Sequence, residues 1–255
     1  MKNMLRVLNL CAIVSLTIIL SSCSMAPVKP TYSTQEIYPR SGIVLRQDIF
    51  HVVAPGETFW RISKMYDVKI EDIVKANNLK ETEALEIGQR LLVRKAAPIR
   101  PVIAFYKSDK WKYIIIHHSA TDEGNSLNLN EMHKRKGWAC IGYDFVIDNG
   151  TDGKEDGQIE VSPRWVKQEK GAHCQASDMN SKGIGICLVG NFSKKRVGNK
   201  QMDSLVYLVN ILRKNYRIPK DHILGHGQVP GARTECPGKY FPWEEFHNKL
   251  NSKVR

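Results

Sequence analysis

Cysteine is scarce in this chain and long apolar runs are absent, and each shortage excludes a class of protein. Six cysteines among 255 residues are too few for the disulfide scaffold of a small secreted domain. No apolar run reaches the roughly 20 residues of a membrane-spanning helix, which excludes a polytopic membrane protein. With 18 Gly and 11 Pro, the composition also excludes collagen-like, mucin-like and wholly disordered chains.

Acidic residues are outnumbered by basic ones, 26 against 38, which gives a formal net charge of +12. Such a chain favours polyanions or an anionic surface, such as a cell wall or phospholipid. The charge describes partners and says nothing about the fold. The length permits two small domains or one medium domain.

The first 22 residues are predicted to be a signal peptide. Lys2 and Arg6 form a positive start, and an apolar run of 14 residues follows over 7–20. A basic start, a short apolar run and small residues before a cleavage site are typical of secretion. Removal of residues 1–22 leaves a side-chain charge of +10.

The end of this run, Leu-Ser-Ser-Cys23, resembles a bacterial lipobox. The resemblance implies that Cys23 is acylated and anchors the chain in the cell envelope. Ser24, rather than Asp, follows the cysteine, which by analogy favours the periplasmic face of an outer membrane. An ordinary signal peptide with a chance cysteine and a permanent transmembrane helix are the alternatives. Prolines interrupt residues 23–47, so we expect a tether that reaches at most about 80 Å.

Residues 48–95 are predicted to form a small βααβ domain. A β-rich run ends at Pro55-Gly56, two amphipathic stretches follow, and a second β-rich run closes the segment. About a dozen positions resemble a LysM domain, among them Gly56-Glu57-Thr58, Tyr66-Asp67-Val68, Asn77 and Ile87-Gly88-Gln89. The resemblance implies binding of N-acetylglucosamine-containing glycan by the loops after the first strand and after the second helix. A packing module without a ligand is the alternative.

After a linker over 96–110, residues 111–250 are predicted to form an α/β domain with a mixed central sheet flanked by helices. The run Tyr113-Ile-Ile-Ile favours a buried strand at the centre of that sheet. His117 and His118 follow at its end, on opposite faces because side chains alternate along a strand.

A Gly/Pro-rich segment places His226 and Cys236 ten residues apart. Neutral imidazole and thiolate are ligands that zinc prefers, and three protein ligands with one open position are typical of a catalytic site. The pair alone is a weak pattern, but together with the strand histidines and Cys-Pro-Gly it becomes specific.

These motifs resemble the zinc-dependent N-acetylmuramoyl-L-alanine amidases shared by phage lysozyme-amidases and peptidoglycan recognition proteins. The resemblance implies Zn²⁺ bound by His117, His226 and Cys236. It also implies cleavage of the amide between the lactyl group of N-acetylmuramic acid and L-alanine of the stem peptide, in cell-wall remodelling or recycling. Active family members include chains with Cys as the third ligand.

The same resemblance assigns roles to residues beside the metal. Tyr143 is expected to orient or deprotonate the attacking water, and Thr234 to hydrogen-bond the developing oxyanion. His173 and, more weakly, His118 are expected to bind substrate. Thr234 stands where phage enzymes have Lys, and Gln228 stands where the family usually has Asp.

Two other functions remain open. A relative without metal would bind peptidoglycan without cutting it, and a zinc ion could be structural, although structural sites usually close with four protein ligands. Nucleic acid is not an expected partner. Cys187 is expected to act as a small buried hydrophobe, while pairing of Cys140 with Cys174 is left open.

Overall fold

The computed structural model describes residues 30–34 and 44–252. The predicted signal peptide, Cys23 and most of the predicted tether lie outside these residues. Within the described part of the chain, no helix is both long and apolar enough to cross a membrane.

The described residues form short strands and helices throughout both predicted domains. The strands are β1 (Thr31–Ser33), β2 (Gln47–Val52), β3 (Arg90–Ala96), β4 (Ile103–Phe105), β5 (Tyr113–His118), β6 (Phe145–Asn149), β7 (Asp156–Val161), β8 (Gly183–Leu188) and β9 (Ile223–Gly225). The helices are α1 (Phe59–Tyr66), α2 (Ile70–Ala76), α3 (Ser126–Arg135), α4 (Pro163–Lys167), α5 (Met179–Lys182), α6 (Asn199–Tyr216) and α7 (Trp243–Asn251).

The N-terminal domain has the predicted βααβ order, with β2 and β3 paired antiparallel. The Thr58 hydroxyl caps α1 by accepting from the N–H of Arg61 at 3.2 Å, which satisfies a donor that the first helical turn leaves free. Asn77 joins the helices to the sheet, because its amide both donates to the carbonyl of Leu92 and accepts from its N–H. Ile62 and Ile73 are buried between these elements.

The C-terminal domain contains a five-stranded sheet in the order β7-β6-β8-β5-β9. All neighbours are parallel except β6 and β7, so the predicted mixed central sheet is confirmed. Ile114, Ile115 and Ile116 of β5 are fully buried, as expected of a strand covered on both faces. Ile114 and Ile116 share a core cluster with residues of α6 and α7, whereas Ile115 lies in a second cluster with Met179 and Val229.

Two short strands lie in segments that the sequence assigned to the tether and the linker. Strands β1 and β4 pair antiparallel, and Ile103 of β4 is buried in the C-terminal core. The indole N–H of Trp165 donates to the carbonyl of Ala104 at 2.8 Å. Strands of three residues are too short to show a periodic pattern, so the sequence expectation of irregular structure is corrected at both places.

The loop before α1 lies against the C-terminal domain, whereas α1 itself contacts the segments that flank the N-terminal domain. The Arg61 guanidinium, which is buried, donates to the carbonyl of Val102, and the Tyr32 and Trp60 rings lie 4.3 Å apart. A Cβ built on Gly56 would lie only 3.2 Å from the backbone nitrogen of Pro163. This face of the N-terminal domain is therefore turned towards the C-terminal domain.

Candidate metal centre

The parallel pairing of β5 with β9 brings two predicted metal ligands together. Ile116 pairs with Gly225, so His117 and His226 each lie one residue beyond this pair, at the same edge of the sheet. Their rings lie 4.7 Å apart. The carboxyl ends of parallel strands meet at one edge, which is where open α/β sheets usually build their sites.

The third predicted ligand, Cys236, arrives on a loop that folds back against the segment after β9. The N–H of Gly227 donates to the carbonyl of Cys236 at 2.7 Å. A Cβ on Gly227 would lie 2.4 Å from the carbonyl oxygen of Thr234, so this approach requires glycine. The Gln228 side chain accepts from the N–H of Gly225 at 2.7 Å and holds the turn where the family usually has Asp.

The ligand atoms of His117, His226 and Cys236 all lie within 4.8 Å of one another. His117 Nδ1 is 3.7 Å from Cys236 Sγ. A tetrahedral zinc ion with ordinary bond lengths would hold such atoms about 3.6 Å apart. The three residues therefore fit a single metal ion, and no other such group of three occurs within residues 30–34 and 44–252.

The electrostatics of these groups suit metal binding. Burial holds the pKa of His117 well below its ordinary value, with a further effect of His173 and His226, and burial also lowers the pKa of His226. The imidazoles are thus neutral at neutral pH. Burial raises the pKa of the Cys236 thiol to about 12, although the backbone N–H of His118, 3.4 Å from Sγ, acts in the opposite direction. A bound cation would deprotonate this thiol and release a proton.

Tyr143 lies beside the ligands, with its ring 5.1 Å from that of His117. Burial raises the pKa of its phenol well above the ordinary value, and the ring packs against the cluster that contains Cys187. Tyr143 is therefore a neutral phenol that can donate a hydrogen bond.

Thr234 lies at the exposed edge of the site. Its hydroxyl oxygen accepts from the N–H of Cys236 at 3.2 Å, so Thr234 also holds the turn that presents the thiol. The hydroxyl hydrogen is left to donate to another acceptor.

The two histidines predicted to bind substrate occupy different surroundings. The His118 imidazole accepts from the N–H of Phe192 at 3.1 Å, and it shares a strand face with Ile116 rather than with His117. His173 is only 7% exposed and lies against His117 Nε2. The structure thus places His173 in a buried position directly beside a predicted metal ligand.

The cysteines of the described residues, Cys140, Cys174, Cys187 and Cys236, are free. The pairing of Cys140 with Cys174 that the sequence left open is thus not formed. Cys187 is fully buried in β8, as expected.

The two loops predicted to bind glycan in the N-terminal domain differ in exposure. Ala54 and Pro55 of the first loop are buried, and the Glu57 carboxylate accepts from the Ala54 N–H and lies 2.7 Å from His51. The second loop is open to solvent, with Ile87 48% exposed. The exposed loop therefore offers the accessible half of the predicted glycan surface.

Comparison with known proteins places both domains in families. Residues 107–239 match the family model described as N-acetylmuramoyl-L-alanine amidase, and residues 51–94 match that of the LysM domain. The first match covers just over half of the chain, which therefore belongs to the N-acetylmuramoyl-L-alanine amidase family and carries a LysM domain. The predicted membership of both families is confirmed.

Individual relatives come from animals, phages and bacteria. Peptidoglycan-recognition protein SC2 of Drosophila simulans is 31% identical over 170 residues, covering 63% of this chain and 83% of that protein. The endolysin of Enterobacteria phage K11 is 29% identical over 145 residues, covering 53% and 85%. Among solved structures, the N-acetylmuramoyl-L-alanine amidase LysC from Clostridium intestinale URNW is similar at 34% identity, covering 56% and 87%, with a TM-score of 0.47.

Proposed function

We propose that this protein is a zinc-dependent peptidoglycan hydrolase. It cleaves the amide between the lactyl group of N-acetylmuramic acid and L-alanine of the stem peptide. The observation that carries the proposal is the convergence of two imidazoles and one thiol, within 4.8 Å of one another, in a chain of the amidase family. Three protein ligands leave one coordination position for water or substrate.

The reaction divides between the metal and the side chains around it. Zinc, when bound by His117, His226 and Cys236, supplies Lewis-acid polarisation and activates water. Tyr143, as a neutral phenol, orients the attacking water by a hydrogen bond. Thr234 donates its free hydroxyl hydrogen to the oxygen on which negative charge develops.

A second candidate is a peptidoglycan-binding protein without hydrolytic activity. It is favoured by the identity of 31% with a peptidoglycan-recognition protein. The retention of Cys236 among the three ligands favours the enzyme, because binding alone does not need a thiol beside two neutral imidazoles.

The LysM domain and the lipid anchor complete the proposal. The LysM domain binds the glycan strand, so the amidase domain meets stem peptides on the same polymer, and the basic charge suits an anionic wall. Acylation of Cys23 places the protein in the cell envelope, at the periplasmic face of an outer membrane. Because Thr31 already belongs to the fold, the chain from Cys23 to that strand reaches at most about 28 Å. The amidase therefore acts close to the membrane.

The test of the hydrolase is mass spectrometry of purified peptidoglycan after incubation with residues 24–255. We expect free stem peptides that begin at L-alanine, their loss on chelation and their return with zinc. Cys236→Ala should abolish the products, whereas Cys140→Ala, a matched change at a cysteine outside the ligand set, should not. Unchanged wall that still retains the protein would establish the binding protein instead, and a cut between sugars or within the peptide would contradict the proposed reaction.

The anchor has its own test. Incorporation of a labelled fatty acid and recovery in the membrane fraction should both be lost in Cys23→Ser. Cys11→Ser, a matched change within the apolar run, should retain both. Equal membrane recovery of the two variants would contradict lipidation at Cys23.

A further inference from the structure

His173 lies in a slot that two glycines keep open. A Cβ on Gly171 would lie 2.6 Å from His173 Cδ2, and a Cβ on Gly185 would lie 2.5 Å from the same atom. Real Cβ atoms do not approach so closely, so any side chain at either position would displace the ring. The slot therefore fixes the plane of the imidazole.

Hydrogen bonds define both nitrogens of this ring. His173 Nε2 is 3.1 Å from the carbonyl oxygen of Gly183. A carbonyl can only accept, so Nε2 carries the proton and Nδ1 keeps a lone pair. That lone pair faces His117 Nε2 at 3.1 Å, so His117 must donate from Nε2.

The consequence appears at the opposite nitrogen of His117. With its proton on Nε2, His117 keeps the lone pair on Nδ1, the atom 3.7 Å from Cys236 Sγ. This is the tautomer that a metal ion between the two residues requires. A chain of hydrogen bonds thus runs from the carbonyl of Gly183 through two imidazoles to the ligand position.

The backbone around His173 is held as firmly as its ring. Asn180 Oδ1 accepts from the N–H of His173 at 2.7 Å and from the N–H of Cys174 at 2.8 Å. The carbonyl of Asn180 accepts from the N–H of Gly171 at 2.8 Å. The sequence did not single out Asn180 as a support of the site. Gly185, a glycine inside the buried strand β8, is the signal that could have indicated the slot, because a strand glycine often marks the close approach of another group.

We propose that His173 is a positioning residue, which fixes the tautomer and the ring orientation of His117 for metal binding and does not contact substrate. The inference rests on the metal centre of the proposed function. Ligating histidines usually donate their second N–H to a carboxylate, a carbonyl or water. Here the acceptor is a neutral imidazole, which orients the ligand without adding negative charge to the site.

Zinc affinity, measured by competition with a chromophoric chelator, tests the proposal on residues 24–255. His173→Leu should weaken zinc binding by about 10–100-fold and shift the visible absorption of the cobalt-substituted protein. His173→Asn, whose Oδ1 replaces the accepting Nδ1, should restore most of the affinity. His247→Leu, a matched change at an exposed histidine, should bind zinc like the wild type.

The zinc-binding results distinguish a failure of the positioning role from a failure of the metal centre itself. Equal zinc affinity of His173→Leu and wild type, or no recovery in His173→Asn, would overturn the positioning role. A wild-type protein that binds neither zinc nor cobalt would overturn the metal centre and the proposed function with it. An increase in KM for a soluble muropeptide in His173→Asn would instead indicate the substrate contact expected from the sequence.

A measurement on the unaltered protein covers the case in which the leucine variant does not fold. Long-range ¹H–¹⁵N spectra of the wild-type imidazoles report which ring nitrogen carries the proton. We expect Nε2–H at both His117 and His173, with and without zinc. A proton on Nδ1 of either ring would contradict the proposal.

Discussion

Gly227 is the point of closest approach between the two segments that carry His226 and Cys236, and we predict that Gly227→Ala separates them. An added Cβ would lie 2.4 Å from the carbonyl oxygen of Thr234, whereas ordinary contacts begin at 3.4 Å. The nearest atoms, the carbonyl oxygens of Thr234 and Cys236, belong to the backbone and cannot rotate away. The segments that carry His226 and Cys236 must therefore move apart by about 1 Å. The hydrogen bond from the N–H of Gly227 to the carbonyl of Cys236, now 2.7 Å, would be lost or stretched.

The magnitude follows from these two effects. Overpacking costs about 1–3 kcal/mol, and the lost hydrogen bond adds about 1 kcal/mol. We expect the free energy of unfolding of the metal-free protein to fall by about 2–4 kcal/mol. Because productive sites tolerate displacements of only about 0.5 Å, zinc affinity should fall by at least about tenfold.

Urea unfolding of the metal-free protein and competition titration with a zinc chelator measure the two effects. Gly198→Ala is the matched control, because its Cβ would meet nothing closer than 3.8 Å. Gly198 is the N-cap residue of α6, so its replacement by alanine should lower the free energy of unfolding by about 0.5–1 kcal/mol. Zinc affinity should not change. If Gly227→Ala and Gly198→Ala behaved alike in both assays, the argument that this contact assembles the site would be refuted.

Three further predictions concern polar side chains away from the metal centre. Burial raises the pKa of Asp144 from 3.8 to about 7, so the unfolded chain ionises first and stability falls as pH rises from about 4 to 7. Asp144→Asn should flatten this part of the pH profile of unfolding, and an unchanged slope would contradict the assignment. Lys154 lies 2.8 Å from Glu160, with both side chains buried, so Lys154→Met leaves a buried carboxylate without its partner and should lower the free energy of unfolding in urea by about 3–5 kcal/mol; an unchanged free energy of unfolding would contradict this explanation. Asn77→Ala removes two hydrogen bonds to the backbone of Leu92 and should destabilise the LysM domain by about 2–4 kcal/mol. Amide hydrogen exchange in β3 should become faster, and an unchanged exchange rate would contradict this role of Asn77.

Much of the architecture could be predicted because local patterns carry it. The apolar run before His117 indicated a buried central strand, and the two amphipathic stretches after Thr58 indicated the helices of the LysM domain. Strands β1 and β4 were not foreseen, since a strand of three residues has no period and forms here only by pairing with a distant segment.

The candidate ligands His117, His226 and Cys236 could be named from residue type, spacing and resemblance. Their convergence was a matter of register, because only the pairing of Ile116 with Gly225 sets the two histidines side by side. The same holds for Gly227, whose need for glycine arises from a carbonyl seven residues further along the chain.

His173 shows which part of the site the sequence could not predict. The sequence indicated that this histidine belongs near the site, and alternation along β5 separated His117 from His118. Which nitrogen of His173 carries a proton, and whether its ring meets substrate or supports a ligand, depends on Gly183, Gly185 and His117, which the fold brings together from separate strands. The sequence alone therefore determined the families, the order of elements and the chemistry available. Only the tertiary structure decided the partners of each polar atom, because hydrogen bonds act over about 3 Å between groups that are far apart in the chain.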